Sequence, residues 1–237
     1  MTGLQPVTVE VPTPQGPGRW LLSPSPATPA RALLLVGHGA GGGLDGVDLV
    51  ALAEHLPSHG ITVARFDQPW HVAGRKIATR PPTLDAAWLA GAEHLVAGDA
   101  LGLAGLPVFA AGHSAGARVA CRTAAQVGAA GVVALSFPLH PPGKPERSRI
   151  AELLTPTVPV LVIQGDRDPF GSADEVRAAV AATAQDRATQ DRGSAPIEVT
   201  EVTGAAHTLG VPAKVRSAAE HRRHLADLVL SFLDRLG

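Results

Sequence analysis

Residues 107–116 read PVFAAGHSAG, an apolar run that ends in Gly112-His113-Ser114-Ala115-Gly116, and a helix-compatible stretch, residues 115–126, follows at once. This G-x-S-x-G pattern predicts a strand, a sharp turn at Ser114 and a helix. Glycines two residues before and after the serine let strand and helix approach closely. The helix then begins beside the hydroxyl with the positive end of its dipole. The pattern favours a nucleophilic serine, and the alternative is a glycine-rich turn whose serine caps the helix.

Strand-like and helix-like segments alternate on both sides of this stretch. Apolar runs of strand length occupy residues 7–11, 31–36, 61–66, 107–111, 131–136, 158–164 and 197–202. Residues 84–96 and the C-terminal segment instead carry apolar side chains at helical spacing. The alternation predicts an α/β fold with a mostly parallel central sheet flanked by helices. We expect an antiparallel N-terminal hairpin and one domain over residues 1–237, with no recognisable linker.

Composition narrows the class of protein. The 237 residues are 45% hydrophobic and 17% charged, and their formal net charge is −1. That balance fits a chain with a sizeable core and argues against a dedicated nucleic-acid binder. The single cysteine excludes an intrachain disulfide and a thiolate zinc site. No signal-like start or membrane-length apolar run is present, so we expect a cytoplasmic protein without a membrane partner. The oligomeric state is not readable.

Two later segments supply an acid and a base. Residues 165–171 read GDRDPFG, in which Asp166 and Asp168 compete for the role of the acid. Ser172 and Glu175 form an S-x-x-E capping box for the next helix, which leaves Asp168 free, so we favour Asp168 over Asp166. A turn aspartate that binds only backbone is the remaining alternative. His207 follows the run at residues 197–202 in the sequence GAAH and is the candidate base.

A glycine-rich loop follows the apolar run at residues 31–36 and reads His38-Gly39-Ala40-Gly41-Gly42-Gly43. Such a loop can aim backbone N–H groups at a developing oxyanion, and the residue after the nucleophile supplies the second donor. Ala40 and Ala115 are therefore the candidate donors, with Gly41 as an alternative to Ala40. A phosphate-binding loop is the rival interpretation, but the G-K-[ST] ending is missing. We expect His38 to support the loop.

The four motifs HGAGGG, GHSAG, GDRDPFG and GAAH together resemble the α/β-hydrolase superfamily, in its small dienelactone-hydrolase-like group. The block FPLHPPGKP at residues 137–145 resembles the branch that includes testis-expressed protein 30 and the third NSL-complex subunit. The resemblance implies Ser114 as nucleophile, His207 as base and Asp168 as acid, with Ala40 and Ala115 as oxyanion donors. It implies a cofactor-free serine hydrolase, carboxylesterase-like, acting on a small ester, thioester or amide. The branch also leaves open a non-catalytic interaction module on the same scaffold.

Substrate contacts are predicted less directly. The segment at residues 136–158 is too short for a helical cap domain, so we expect loops alone to surround the site. Residues 67–82 carry several cations, and we expect Gly41, Trp70, Arg75 and His140 to contact substrate. A basic rim there would suit an ester bearing a carboxylate, and a solvated loop is the alternative. Histidine pairs at helical spacing lack a third ligand, so no metal site is expected.

Overall fold

The structure, a computed structural model, describes residues 5–97, 102–188 and 195–237. Its strands are β1 (Val7–Val11), β2 (Gly18–Ser23), β3 (Ala32–Gly37), β4 (Ile61–Asp67), β5 (Val108–His113), β6 (Ala129–Leu135), β7 (Val160–Gly165) and β8 (Ile197–Val202). Its α-helices are α1 (Val47–His55), α2 (Pro69–Val72), α3 (Pro81–Ala97), α4 (Ala115–Thr123), α5 (Ile150–Leu153), α6 (Ala173–Ala188) and α7 (Ala218–Asp234). The polar segment at residues 183–194, for which the sequence predicts a helix end and loop, begins inside α6. Its part after Ala188 lies outside the described residues.

All eight strands join one sheet in the order β1-β2-β4-β3-β5-β6-β7-β8. The first two form the expected antiparallel hairpin, and β2 pairs antiparallel with β4. Every other pair, from β4 to β8, is parallel. Because β3 lies between β4 and β5, the chain reverses its direction of travel across the sheet there. Such a point opens a crevice at the carboxyl ends of the strands.

Helices cover both faces of the sheet. The sequence of β3 shows why both faces are buried. Successive side chains of a strand point to opposite faces. Leu34 and Val36 pack in one buried cluster with residues of α1 and α7, whereas Leu33 and Leu35 pack in another with residues of α3. A run that is apolar at every position is therefore buried on both sides, which confirms the α/β class predicted from sequence.

Three aromatic rings anchor the face that α3 covers. The ring centroids of Trp20 and Phe66 lie 4.6 Å apart, and those of Trp20 and Trp88 lie 5.5 Å apart. The indole N–H of Trp20 donates to the carbonyl oxygen of Gly91 in α3 over 2.9 Å. Gly91 lies so close to Phe66 that an added Cβ would sit 2.7 Å from the ring. A glycine inside this helix is therefore what lets the rings approach it.

Element ends differ from the sequence expectations by a few residues. Helix α4 stops at Thr123 instead of reaching residue 126, because a turn follows that ends at Gly128 with a positive φ of 64°. Between β6 and β7 the chain forms the four-residue α5 and loops, so no cap domain stands over that edge. Within the described ranges, no helix combines the length and apolarity needed to cross a bilayer.

Candidate active site

The turn between β5 and α4 holds Ser114 in a backbone conformation that residues other than glycine rarely adopt. Its φ is 52° and its ψ is −108°. Neighbouring backbone crowds the turn: a Cβ on Gly112 would lie 2.3 Å from the carbonyl carbon of Gly116, and one on Gly116 would lie 2.3 Å from the Gly37 oxygen. The two glycines therefore make the contact between β3, β5 and α4 possible. The tight turn places the hydroxyl of Ser114 at the carboxyl end of the sheet.

Three loops bring Ser114, His207 and Asp168 into one hydrogen-bonded chain. The Ser114 hydroxyl donates to His207 Nε2 over 2.8 Å. His207 Nδ1 donates to Asp168, at 2.8 Å from Oδ2 and 3.0 Å from Oδ1. The Asp168 side chain is fully buried, whereas that of His207 is 20% exposed. The tautomer this chain requires leaves Nε2 with its lone pair toward the serine, as a general base needs.

Asp168 and Asp166 have separate hydrogen-bond partners. Asp168 also accepts from the side-chain amide of Gln164 and from the backbone N–H of Phe170, at 3.0 and 2.8 Å. Asp166 accepts from the backbone N–H of Gly204 over 2.7 Å, which ties it to the loop that carries His207. The Ser172–Glu175 capping box is present.

Two residues beside the candidate triad were not among the candidates from sequence. The Phe170 ring packs on the His207 imidazole with centroids 4.2 Å apart. Gln164 is fully buried in β7 and donates to Asp168 and to the carbonyl oxygens of Gly171 and Phe137. A buried glutamine at the end of an apolar strand is the one hint that sequence offers. Together they hold the acid and the base in place.

The predicted oxyanion donors lie beside the serine. Ala40, Gly41 and Ala115 line the same cavity as Ser114. Within the ranges that the structure describes, neither the Ala40 N–H nor the Ala115 N–H donates to a protein acceptor. Free backbone donors that face a cavity beside a serine are what a tetrahedral oxyanion needs. Ala115 also stands at the start of α4, where the helix dipole adds positive potential.

His38, Asp67 and His71 lie close together beside the glycine-rich loop, and His71 and Asp67 are hydrogen-bonded to each other. His38 is buried; its Nδ1 donates to the Gly39 carbonyl oxygen over 2.8 Å, and its Nε2 accepts from the Gln68 backbone N–H over 3.2 Å. His71 Nδ1 lies 2.6 Å from Asp67 Oδ1. Burial lowers the pKa of His38, in line with the neutral ring that this pattern requires. His38 thus supports the loop, as expected from sequence.

The same three side chains have the donor types that a divalent cation uses, and their ligand atoms lie within 4.8 Å of one another. Two observations explain the cluster without a cation. Every ring nitrogen that faces the others already has a hydrogen-bond partner. Asp67 is also paired with Arg19, whose guanidinium lies 2.8 Å from Oδ2. A dication there would displace these bonds and meet a fixed positive charge.

His113, the residue before the nucleophile, forms a second histidine–aspartate pair. Its Nδ1 lies 2.7 Å from Oδ2 of Asp48, a carboxylate buried at the start of α1. The His113 and His207 rings are 5.3 Å apart. Burial lowers the pKa of His113, but the charge and hydrogen bond of Asp48 and the charge of Asp168 outweigh it, so the pKa is raised. The His113 side chain also borders the Ser114 cavity.

A cavity of about 720 Å³ opens above Ser114. The glycine-rich loop and the start of α1 form one wall, with Val47 and Leu49 among its apolar side chains. Pro138 and Phe170 contribute apolar surface from other loops, as does the His207 loop. Arg118 and Arg149 bring two guanidinium groups to the lining. The site is thus surrounded by loops, as the short segment between β6 and β7 predicted.

Three predicted substrate contacts lie away from this cavity. Trp70 is buried against the His38 ring, and its neighbour Arg75 is exposed on the far side of the glycine-rich loop, where both line a separate cavity. His140 is buried; its Nδ1 donates to the Pro141 carbonyl oxygen, and its Nε2 faces Glu175. Arg75 thus lines the second cavity and not the Ser114 cavity, an arrangement that fits the alternative of a solvated loop. Gly41 does line the cavity.

The arrangement combines a serine hydroxyl hydrogen-bonded to an imidazole, a buried carboxylate on the other side of that imidazole, and two backbone N–H groups without a protein acceptor among the described residues. Those parts suit attack on a carbonyl carbon. Residues 30–233 of the chain match the family described as the alpha/beta hydrolase domain, and the chain belongs to that family.

Solved structures agree with this assignment of the fold. An alpha-beta serine hydrolase homologue from Coxiella burnetii is similar over 96% of this chain and 98% of its own, with 18% identity and a TM-score of 0.68. The esterase domain of a Rhodothermus marinus protein covers 99% of this chain and 100% of its own, at 16% identity and a TM-score of 0.70. A dienelactone hydrolase from Anabaena variabilis covers 94% and 95%, at 17% identity and a TM-score of 0.64.

Proposed function

We propose that this chain is a serine hydrolase that cleaves a small ester, or a related thioester or amide, through an acyl-enzyme. The observation that carries the proposal is the hydrogen-bonded chain from the Ser114 hydroxyl through His207 to the buried Asp168. The names of the similar structures, a serine hydrolase homologue, an esterase domain and a dienelactone hydrolase, support the reaction class.

In the proposed mechanism, His207 Nε2 takes the Ser114 proton as Oγ bonds to the substrate carbonyl carbon. The Ala40 and Ala115 N–H groups stabilise the oxyanion of the tetrahedral intermediate. When the intermediate collapses, the bond to the leaving group breaks and His207 returns the proton to that group. Water then attacks the acyl-enzyme and gives a proton to His207, and His207 returns that proton to Ser114 Oγ as the bond between Oγ and the acyl carbon breaks and the acid leaves. Asp168 stabilises the imidazolium at each stage.

Labelling with a fluorophosphonate probe tests the proposal, because such probes react with activated serines. We expect the wild-type protein to be labelled and to hydrolyse p-nitrophenyl acetate, and Ser114→Ala to do neither. Ser58→Ala, which removes an exposed hydroxyl remote from the cavity, is the matched control and should behave as the wild type does. A folded wild-type protein that is neither labelled nor active would contradict the proposal and favour an interaction module.

We also propose a family branch, a domain organisation and a cellular compartment for this chain. The block at residues 137–145 supports a place in the branch with testis-expressed protein 30 and the third NSL-complex subunit. One sheet that contains every described strand supports a single domain over residues 1–237. The free, buried thiol of Cys121 suits a reducing compartment such as the cytoplasm.

A further inference from the structure

One of the charged side chains around the Ser114 cavity is a cation without an acidic partner. Arg118 is paired with Glu152 through two hydrogen bonds of 2.9 and 2.6 Å. His113 and His207 each contact an aspartate. Arg149 lines the cavity too, but it forms no ion pair with any carboxylate in the part of the chain that the structure describes.

Arg149 is held in place by backbone contacts. Its Nη1 donates to the Pro138 carbonyl oxygen over 2.9 Å, and its own backbone N–H donates to the Leu139 carbonyl oxygen over 2.7 Å. A guanidinium has five N–H donors, so one bond to a carbonyl leaves four for other partners. The group is therefore oriented before any ligand arrives and still has donors to offer.

The surroundings of Arg149 leave its charge poorly compensated. Burial lowers the pKa of this guanidinium, and the neighbouring charges of Arg118 and Arg147 lower it further, against the opposing effect of Glu152. Glu152 itself is already shared between Arg118 and Arg122. Of the acids that line the cavity, Asp45 forms no ion pair among the described residues; it follows the glycine-rich loop and also borders the second cavity, where Arg75 and Lys76 lie. An anion beside Arg149 would supply the missing negative charge.

We propose that Arg149 is an anion-binding residue of the Ser114 cavity and that the substrate is an ester bearing a carboxylate. The planar fork of an arginine matches the two oxygens of a carboxylate. The apolar side chains Val47, Leu49 and Phe170 on the walls favour an aliphatic or aromatic spacer between the ester and the carboxylate. This inference rests on the proposed hydrolase function, and it assigns to Arg149 the role that the sequence suggested for Arg75.

The test compares esters that differ in one charge. Mono-p-nitrophenyl adipate carries a free carboxylate on the acyl side, and its methyl ester is the neutral partner. A second pair, 4-acetoxybenzoate and its methyl ester, places the charge on the leaving group. For each protein, the ratio of kcat/KM between the charged and the neutral ester is measured on one preparation, so that differences in active fraction cancel.

Arg149→Gln removes the charge and retains a donor for the Pro138 carbonyl oxygen. We expect the charged-to-neutral ratio to fall about tenfold in at least one pair, mainly through KM, the size expected for a hydrogen bond to a charged group. Arg149→Lys keeps the charge but loses the planar fork, so we expect its ratio to lie between those of the wild type and Arg149→Gln. Arg147→Gln, the same change at an exposed position outside the cavity, should leave the ratio unchanged.

The outcomes separate this inference from the function on which it rests. Labelling of Ser114 together with an unchanged ratio in both pairs for Arg149→Gln would overturn the anion site and leave the hydrolase standing. A similar fall in Arg147→Gln would point to the general field of the protein and would also overturn it. Absence of both labelling and turnover would remove the hydrolase function and this inference with it.

Discussion

Asp166 and Asp168 lie in one turn but have different hydrogen-bond partners. We therefore expect their replacement to have different effects on kcat. Asp168→Asn puts an amide beside His207 Nδ1, which destabilises the required tautomer and the imidazolium, so we expect kcat to fall about 10³- to 10⁴-fold. Asp166→Asn keeps a carbonyl oxygen for the Gly204 N–H. Its kcat should fall less than about tenfold, given the strength of one neutral hydrogen bond. Steady-state kinetics with p-nitrophenyl acetate measures both, and equal losses would contradict these assignments.

The raised pKa of His113 makes the contribution of its pair with Asp48 depend on pH. A histidine whose folded pKa lies above its unfolded value of 6.5 stabilises the fold fully below about pH 6.5. That stabilisation is lost as the pH rises through the folded pKa. Asp48→Asn removes the charge that holds the proton on His113, so burial then keeps the ring neutral.

We therefore expect Asp48→Asn to lower the free energy of unfolding by about 1–3 kcal/mol at pH 6, with the gap narrowing as the pH rises. Urea unfolding from pH 5.5 to 9, with the His113 ring followed by NMR, measures this. Asp174→Asn, which weakens an exposed pair with Arg177, should change stability by less than about 0.5 kcal/mol at every pH. A gap that stays constant across the range would contradict the role of the His113 charge.

Candidate site residues that stand in a recognisable local motif could be predicted from the sequence. Residues whose contacts are with side chains far away along the chain could not. Ser114, Asp168 and His207 each stand in a short motif after an apolar run. Asp48 is 65 residues from His113, and no local pattern links the two. Arg149 lines the same cavity as Ser114 because of the course of the loop after β6, which no local sequence pattern indicates. The sequence left open which way the loop at residues 67–82 faces, because packing sets its direction, and the structure has Arg75 at the second cavity.

At the scale of elements, the contact between β3, β5 and α4 depends on the absence of side chains. A methyl group on Gly116 would lie 2.3 Å from the Gly37 carbonyl oxygen, a backbone atom that cannot move aside cheaply. We expect Gly116→Ala to lower the free energy of unfolding by at least about 1–3 kcal/mol, the usual cost of overpacking, and to abolish labelling of Ser114. Thermal unfolding measures the first effect.

Gly42→Ala is the matched control for stability, because a Cβ there meets nothing within 4 Å. Its melting temperature should stay close to that of the wild type. If Gly116→Ala were as stable as Gly42→Ala, then the close approach of α4 to β3 would not be what fixes the turn.

Elements themselves were predictable to different degrees. Strands that are apolar at every position, such as β3 and β6, were placed within about two residues. The hairpin of β1 and β2 was recognised from its proline and glycine content. Helix α1 was not anticipated, because it follows a glycine-rich loop and its buried residues include Asp48. The buried charge of Asp48 is stabilised by its contact with His113, by the backbone N–H of Leu49 and by the helix dipole, and no local sequence pattern indicates the first of these.

At the scale of the whole molecule, the candidate triad is assembled from loops after β5, β7 and β8. The three tryptophans lie in β2, α2 and α3, and the strand order puts β2 and β4 at the opposite end of the sheet from β7 and β8. Tryptophan fluorescence therefore reports on the end of the sheet with β2 and β4. Labelling of Ser114 also depends on the end with β7 and β8, which carries Asp168 and His207. Because one sheet joins both ends, we expect the two signals to be lost at the same urea concentration.

Far-UV circular dichroism supplies a third signal, which should follow the same transition. Loss of labelling at a lower urea concentration than the loss of fluorescence would mean that the edge formed by β8 and α7 opens by itself. That result would contradict the expectation of one cooperative unit.

The glycine-rich loop has a consequence for how new specificities can arise. Because this wall of the cavity is largely bare backbone, and because Gly41 and Gly42 have free space where a Cβ would stand, almost any substitution there adds bulk to the cavity. Such changes can exclude large acyl or alcohol groups, but they can hardly enlarge the cavity. Laboratory evolution toward bulkier esters would therefore have to act on the opposite wall, around Pro138 and Phe170, where existing side chains can be trimmed.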